Sequence, residues 1–150
     1  LEYGYGYNGE AVYNGSNIFE KYRRCETEFL RALSLPTDKP LISVSHICPA
    51  MTTSCAGNIF DIERDVYSEW NKELERLGIG IMISGHIHCY LRLEPNDPKS
   101  LLPHSYQVVF GARCDGQGIA GTAIILNEQE LIYRFTDSEH NVIAEDSIKF

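Results

Sequence analysis

The stretch Ile79-Gly80-Ile81-Met82-Ile83-Ser84-Gly85-His86-Ile87-His88 decides how the chain folds. Ile79–Ser84 is apolar nearly throughout, the pattern of a strand covered on both faces. It runs directly into a small-residue turn and two histidines. Upstream, Leu41-Ile42-Ser43-Val44-Ser45-His46 is a second short β-rich run that also ends on histidine. Between them a helix is predicted from Asp61 to about Leu77. Asp61 is its N-cap, Glu63 and Asp65 sit in a first turn that favours negative charge, and Gly78 sits where a C-terminal glycine belongs. Its buried face is traced by Ile62, Val66, Trp70, Leu74 and Leu77. Strand, helix, strand is a crossover unit, which brings parallel strand ends side by side. Functional groups in open α/β sheets gather beyond those carboxyl ends.

Working outward, Ser16 or Asn17 can cap an earlier helix that runs to about Ser34. Its apolar stripe is predicted as Ile18, Tyr22, Cys25, Phe29 and Leu33, and Pro36 and Pro40 stop it. Leu1–Gly15, rich in Tyr, Gly and Asn, reads as turns or an irregular loop, with Tyr3, Tyr5 and Tyr7 covering a neighbouring flank. Ile47–Phe60 reads as a long loop, and long loops in compact domains are often functional. After His88 the chain reads as mostly β. Tyr106–Phe110, Ile119–Leu126 and Leu131–Phe135 are strands, and Asn127–Glu130 is a hairpin turn. Helix, strand, helix, strand and then a β-meander give a mixed α/β or α+β fold in layers.

The size fits one domain with a sizeable core: 150 residues can bury roughly 70% of their unfolded surface. An apolar share of 43% against 23% charged residues excludes a disordered chain, a coiled coil and a collagen-like repeat. No apolar run reaches the roughly 18–20 residues of a membrane span. Thirteen basic against twenty-one acidic residues, a net charge of -8, argue against a dedicated nucleic-acid binder, which needs a basic face. The five cysteines, Cys25, Cys48, Cys55, Cys89 and Cys114, are odd in number and contain no C-x-x-C pair. They read as small buried hydrophobes rather than a disulfide framework, with a Cys48–Cys55 bridge open if the protein is exported.

The histidines carry the chemistry. Residues i and i+2 of an extended segment point to one side, so His86 and His88 can present two imidazoles to neighbouring points. His46, at the end of the adjacent strand, can add a third. Imidazole is the commonest metal ligand near neutral pH. The competing reading is that such histidines are satisfied structural residues, and His104 and His140 are read that way.

V-S-H-I-C-P over Val44–Pro49, followed about forty residues later by S-G-H-I-H over Ser84–His88, resembles the last two motifs of the calcineurin-like metallophosphoesterase family. Tyr13–Arg23 is similar to the stretch that precedes them. Order, spacing and predicted elements agree over most of the chain, although Cys48 stands where many members have proline. The resemblance implies a two-layer β-sandwich flanked by helices around two divalent ions, of Mn, Fe or Zn. It implies that His46 and His86 ligate one ion and His88 the other. Tyr90 and Arg92, two and four residues beyond the motif, are candidate phosphate contacts, against a structural reading for both.

The family's other motifs, D-x-H, G-D-x-x-D and G-N-H, would supply bridging carboxylates, an Asn ligand and a catalytic His. None occurs in this chain; Asp38, Asp61 and Asp65 are not in such contexts. Two divalent ions roughly 3.5–4 Å apart need anionic bridges, and neutral imidazoles supply no charge to offset them. Residues 1–150, which open at Leu1 without an initiator Met, are therefore expected to be the C-terminal half of such a domain, with the catalytic residues in an N-terminal half and no activity alone. The expected partners are a phosphate-ester substrate, that N-terminal half and, through exposed sheet surface or open strand edges, a second copy of the chain. The alternatives are a Cys/His zinc module, which the cysteine spacing argues against, and a catalytically silent interaction domain. The compartment leans to the cytoplasm, with export open because a signal segment would precede Leu1.

Overall fold

The computed structural model describes residues 18–36, 38–48, 50, 68–86, 90–110 and 119–150. Several expectations lie outside these residues: the Tyr-rich opening, the caps at Ser16, Asn17 and Asp61, the loop beyond Ala50, Ile62 and Val66, His88, and Cys55, Cys89 and Cys114.

The described elements run α1 (Ile18–Ala32), β1 (Ile42–Val44), α2 (Ser68–Arg76), β2 (Ile81–Ser84), β3 (Leu91–Leu93), β4 (Tyr106–Val109), β5 (Gly121–Leu126), β6 (Glu130–Thr136) and β7 (Val142–Lys149). They form a four-stranded sheet of order β1-β2-β4-β3 and a three-stranded sheet of order β5-β6-β7. The fold is of the mixed α/β class. β1, β2 and β4 are mutually parallel, with Val44 beside Ile83 and Ser84 beside Val109, so their carboxyl ends lie at one edge of the molecule. β3 runs antiparallel to β4.

β2 explains the layering. All four of its residues are buried, as its unbroken apolar run predicts. Ile81 and Ile83 face the second sheet and pack with Val108, Leu131, Tyr133, Phe135 and Ile148. Met82 faces the opposite way and packs with Leu74, Leu77, Ile79, Leu102 and Ala50, with Leu30 and Leu33 against them. The order of layers is therefore helices, first sheet, second sheet. No helix among the described residues is long and apolar enough to cross a membrane.

α2 ends as its sequence requires. Gly78 has φ +72°, Gly78 N–H donates to Glu75 O at 3.0 Å and Ile79 N–H to Leu74 O at 3.2 Å. This pair of bonds is the αL helix stop, with Ile79 and Leu74 in the same apolar cluster. α1 departs from expectation. Tyr22 and Phe29, two residues of its predicted core stripe, are 53% and 63% exposed, and Cys25 is exposed as well. The helix instead turns Thr27 and Leu30 inward and is tied to α2 by charge. Arg31 bonds Glu69 and Glu73, and the Arg76 guanidinium donates to Leu30 O at 2.8 Å and Arg31 O at 3.3 Å at the end of α1, where Leu30 O also accepts from Leu33 N–H at 3.2 Å. Thr27 returns its hydroxyl to Arg23 O and so needs no partner outside the helix.

The β-meander is also corrected. It spans β5, β6 and β7, with β5 joined to β6 by the predicted turn, in which Asn127 Oδ1 accepts from the N–H groups of Gln129 and Glu130. Tyr106–Val109 does not belong to it but pairs with β2. Two strands, β3 and β7, went unpredicted. β3 alternates Leu-Arg-Leu but is only three residues long, and Glu145, Asp146 and Lys149 inside β7 break the apolar alternation that marks a strand.

Candidate functional site

His46 and His86 meet beyond the carboxyl ends of β1 and β2. The backbone ladder of these strands continues past their last residues, with Ser45 N–H to Ile83 O and Gly85 N–H to His46 O, each at 3.0 Å. The β4 end is fastened alongside by Phe110 N–H to Ser84 O at 2.7 Å. Gly85 suits this close approach. A Cβ there would lie 3.2 Å from Phe110 O, a backbone atom that would have to yield, and in ordinary contact with His46 O at 3.7 Å. Two short braces flank the turn: Ser45 Oγ donates to Ile47 O at 2.5 Å, and the buried Cys48 thiol donates to Gly85 O at 3.2 Å.

His86 takes a left-handed backbone, φ 71°, uncommon for a residue with a side chain. In that conformation His86 Nδ1 lies 3.1 Å from His46 Nε2, the rings 5.0 Å apart between centroids and tilted 70°. His46 is exposed and His86 half-buried, so the pair is open to solvent. Two imidazoles so placed can share one N–H···N hydrogen bond. They can also be neighbouring ligands of one cation, because metal–nitrogen bonds of about 2.0–2.1 Å put two ligand atoms roughly 2.9–3.4 Å apart. The donor set therefore fits an ion. Among the described residues no group of three or more His, Cys, Asp or Glu that could hold a metal is formed.

Tyr90 and Arg92 are both hydrogen-bonded to residues of the second sheet. Arg92, on β3, reaches across to the second sheet. Its Nη1 donates to Asp146 Oδ2 at 2.6 Å, Ser147 O at 3.1 Å and the Tyr133 hydroxyl at 3.2 Å, and its Nε donates to Glu94 at 2.6 Å. The Tyr133 hydroxyl lies 2.9 Å from Asp146 Oδ2 and 3.1 Å from the Tyr90 hydroxyl. A phosphate contact by Arg92 would require these bonds to give way. Burial pushes the Tyr133 phenol well above its ordinary range, helped by the Tyr90 hydrogen bond. Burial opposes both charges, yet hydrogen bonds outweigh it: for Arg92 those with Tyr133, Asp146 and Glu94, and for Asp146 those from the Ser147 N–H, Arg92 and Tyr133. Arg92 is held above, and Asp146 below, its usual value.

The sequence places His46 and His86 at strand ends but carries no sign of the contacts around them or around Arg92. Cys48 as a brace and Asp146 as the anchor of Arg92 are both contacts between residues far apart in the chain. Tyr133 alone carried a signal, as an inward position in the alternation of β6. No family model matches the chain, and no curated protein matches it.

Proposed function

We propose that this chain carries the histidine part of a metal-dependent phosphoesterase site, with His46, His86 and His88 as ligands of divalent ions. The observation that carries the reading is the 3.1 Å approach of His86 Nδ1 to His46 Nε2 at the carboxyl ends of adjacent parallel strands. Mn, Fe or Zn suits mixed nitrogen and oxygen ligation. When bound, such ions supply Lewis acidity towards the oxygens of a phosphoric ester. The chain's own residues do the positioning. Gly85 lets the two strand ends close, the left-handed turn at His86 sets its imidazole beside that of His46, and Cys48 and Ser45 hold the turn. Carboxylate ligands and the proton-transfer group come, in this reading, from a further segment of the same domain. The three bonds of Arg92 to the second sheet and its bond to Glu94 favour a bracing role over an ester contact.

Calorimetric titration with Zn²⁺ or Mn²⁺ tests the reading. The chain is expected to bind the ion, and His46→Gln or His86→Gln to weaken binding by roughly an order of magnitude or more, in the range that loss of site order produces. No binding by the unaltered chain, or binding by both variants equal to that of the unaltered chain, overturns it. Without the further segment, hydrolysis of a phosphate monoester by the chain is expected to be absent. A parent reading frame lacking D-x-H, G-D-x-x-D and G-N-H would contradict the assignment to an ester hydrolase.

A further inference from the structure

The stretch that carries His86 is fastened on both sides of that residue to the same two side chains of the second sheet. On the β2 side, Ser84 O accepts from Phe110 N–H at 2.7 Å, and the Phe110 carbonyl oxygen stands 3.2 Å from where a Cβ on Gly85 would lie. The Phe110 ring packs on Tyr133 and Phe135 of β6, at centroid distances of 5.2 and 5.8 Å. On the β3 side, the Tyr90 ring lies 4.7 Å from that of Phe135 and 6.2 Å from that of Tyr133. The Tyr90 and Tyr133 hydroxyls are 3.1 Å apart.

Apolar packing alone does not account for Tyr133. It is fully buried and Phe135 nearly so, both on the inward face of β6. Ring pairs hold together, but their shallow energies let one ring slide on another. A buried hydroxyl costs free energy unless it is bonded, and phenylalanine would fill the same room without that cost. Here the hydroxyl has three partners. Arg92 Nη1 donates to it at 3.2 Å, it donates to Asp146 Oδ2 at 2.9 Å, and the Tyr90 hydroxyl lies at 3.1 Å. A phenol has one O–H, so with that of Tyr133 given to Asp146, Tyr90 donates in the bond between them. Arg92 and Asp146 hold the Tyr133 oxygen in place, and Tyr90 meets a fixed acceptor with a set distance and direction.

We infer that Tyr133 and Phe135 are positioning residues of the histidine site, a buried platform on the second sheet that sets where the His86 imidazole stands relative to that of His46. The inference rests on the reading of these histidines as metal ligands. The platform acts through Phe110, whose backbone abuts Ser84 and Gly85, and through Tyr90. His46 is drawn in because Gly85 N–H donates to His46 O at 3.0 Å. Ligands of an ion have to be held within roughly 0.5 Å of the required geometry by groups that are themselves locked in place. The 3.1 Å between His86 Nδ1 and His46 Nε2 is such a geometry, and the left-handed backbone of His86 needs its surroundings to hold it. Two anchors on one rigid strand, one on each side of His86, supply that hold.

Calorimetric titration of the chain with Zn²⁺ tests the inference, alongside the nuclear magnetic resonance shifts of the His46 and His86 imidazoles in the metal-free chain. Tyr133→Phe keeps the ring and removes the bond to Tyr90. It is expected to move both imidazole shifts and to weaken Zn²⁺ binding by roughly three- to tenfold, below the roughly 10–100-fold of a group bonded directly to a ligand. Phe135→Leu, which removes the ring contacts to Phe110 and Tyr90, is expected to act in the same direction. Tyr90→Phe removes the same hydrogen bond from its other side, so the double variant with Tyr133→Phe is expected to bind no more weakly than Tyr133→Phe alone. Leu77→Ala, in the helical layer, is expected to lower the melting midpoint at least as far as Tyr133→Phe while leaving affinity and shifts as in the unaltered chain. Should Tyr133→Phe fail to fold, Tyr90→Phe, at a half-buried position, carries the comparison with Leu77→Ala. Affinity and shifts unchanged in Tyr133→Phe, additive losses in the double variant, or an equal loss of affinity in Leu77→Ala would overturn it. An unaltered chain that binds no Zn²⁺ overturns the metal reading instead. The imidazole shifts then decide: movement in Tyr133→Phe but not in Leu77→Ala supports the platform, and no movement overturns it.

Discussion

Asp146 and Tyr133 show how a few polar atoms fasten two apolar sheets. The Asp146 carboxylate is half exposed, but it accepts from Arg92, Tyr133 and the Ser147 N–H at once. Its carboxyl is held below the ordinary value despite partial burial. The folded state therefore binds this proton less readily than the unfolded chain. The stabilisation is complete above the unfolded value of about 3.9 and is lost as pH falls through the lower folded value. After discounting for solvent screening it is worth about 1 kcal/mol. Asp146→Asn should lower the stability by about that amount at neutral pH and flatten the fall between pH 5 and acid, read from urea titrations at several pH values. Tyr133 acts in the opposite direction. Its folded value is raised, so its contribution is complete below the unfolded value of about 10 and is lost as pH rises above it. Tyr133→Phe should remove that alkaline loss and cost about 1 kcal/mol at neutral pH through the missing hydrogen bonds.

At the scale of the element, the two helices differ in how they were specified. α2 carries its own stop: Gly78 in the left-handed region closes the last turn onto Leu74 and Glu75. A Cβ at Gly78 would meet nothing within 4 Å, so backbone conformation alone opposes a side chain there. Gly78→Ala should cost about 1 kcal/mol in thermal or urea denaturation without altering the packing of Leu77 and Ile79. α1 has no such internal instruction. Its apolar residues at helical spacing are legible, but spacing does not say which face meets the sheet. Burial of Leu30 and Leu33 near the end of the helix, with Arg31 and Arg76 linking it to α2, turns Tyr22 and Phe29 outward.

Across the whole molecule, stability rests on the seam between the sheets. Phe135 is 3% exposed and touches the rings of Tyr90, Phe110 and Tyr133, at centroid distances of 4.7, 5.8 and 5.8 Å. Phe135→Ala should cost about 3–5 kcal/mol, the range for an aromatic removed from a close-packed core. The loss should be felt in the helical layer too, because β2 is shared by both clusters through Ile81 and Ile83 on one face and Met82 on the other. The single tryptophan, Trp70 on α2, gives the readout: its fluorescence and the far-ultraviolet dichroism should shift to the same lower midpoint. Separate midpoints would show that the layers melt independently.

The sequence by itself determined the strand–helix–strand unit, the double burial of β2, the helix stop at Gly78, the hairpin at Asn127 and the place of His46 and His86 at strand ends. Each depends on short-range pattern: an apolar run, a glycine needing a positive φ, an Asn that bonds its own turn. Only the tertiary structure decided that β4 joins β2 rather than the meander, that Tyr106–Val109 is fastened beside the histidines, that Arg92 spans to Asp146, and that α1 shows its aromatic stripe to solvent. Those outcomes depend on which surfaces meet, and residues tens of positions apart leave no periodic trace of their contact. The same holds for the histidine pair: its members are legible one by one, but the 3.1 Å between them is set by parallel register and by the absence of a side chain at Gly85.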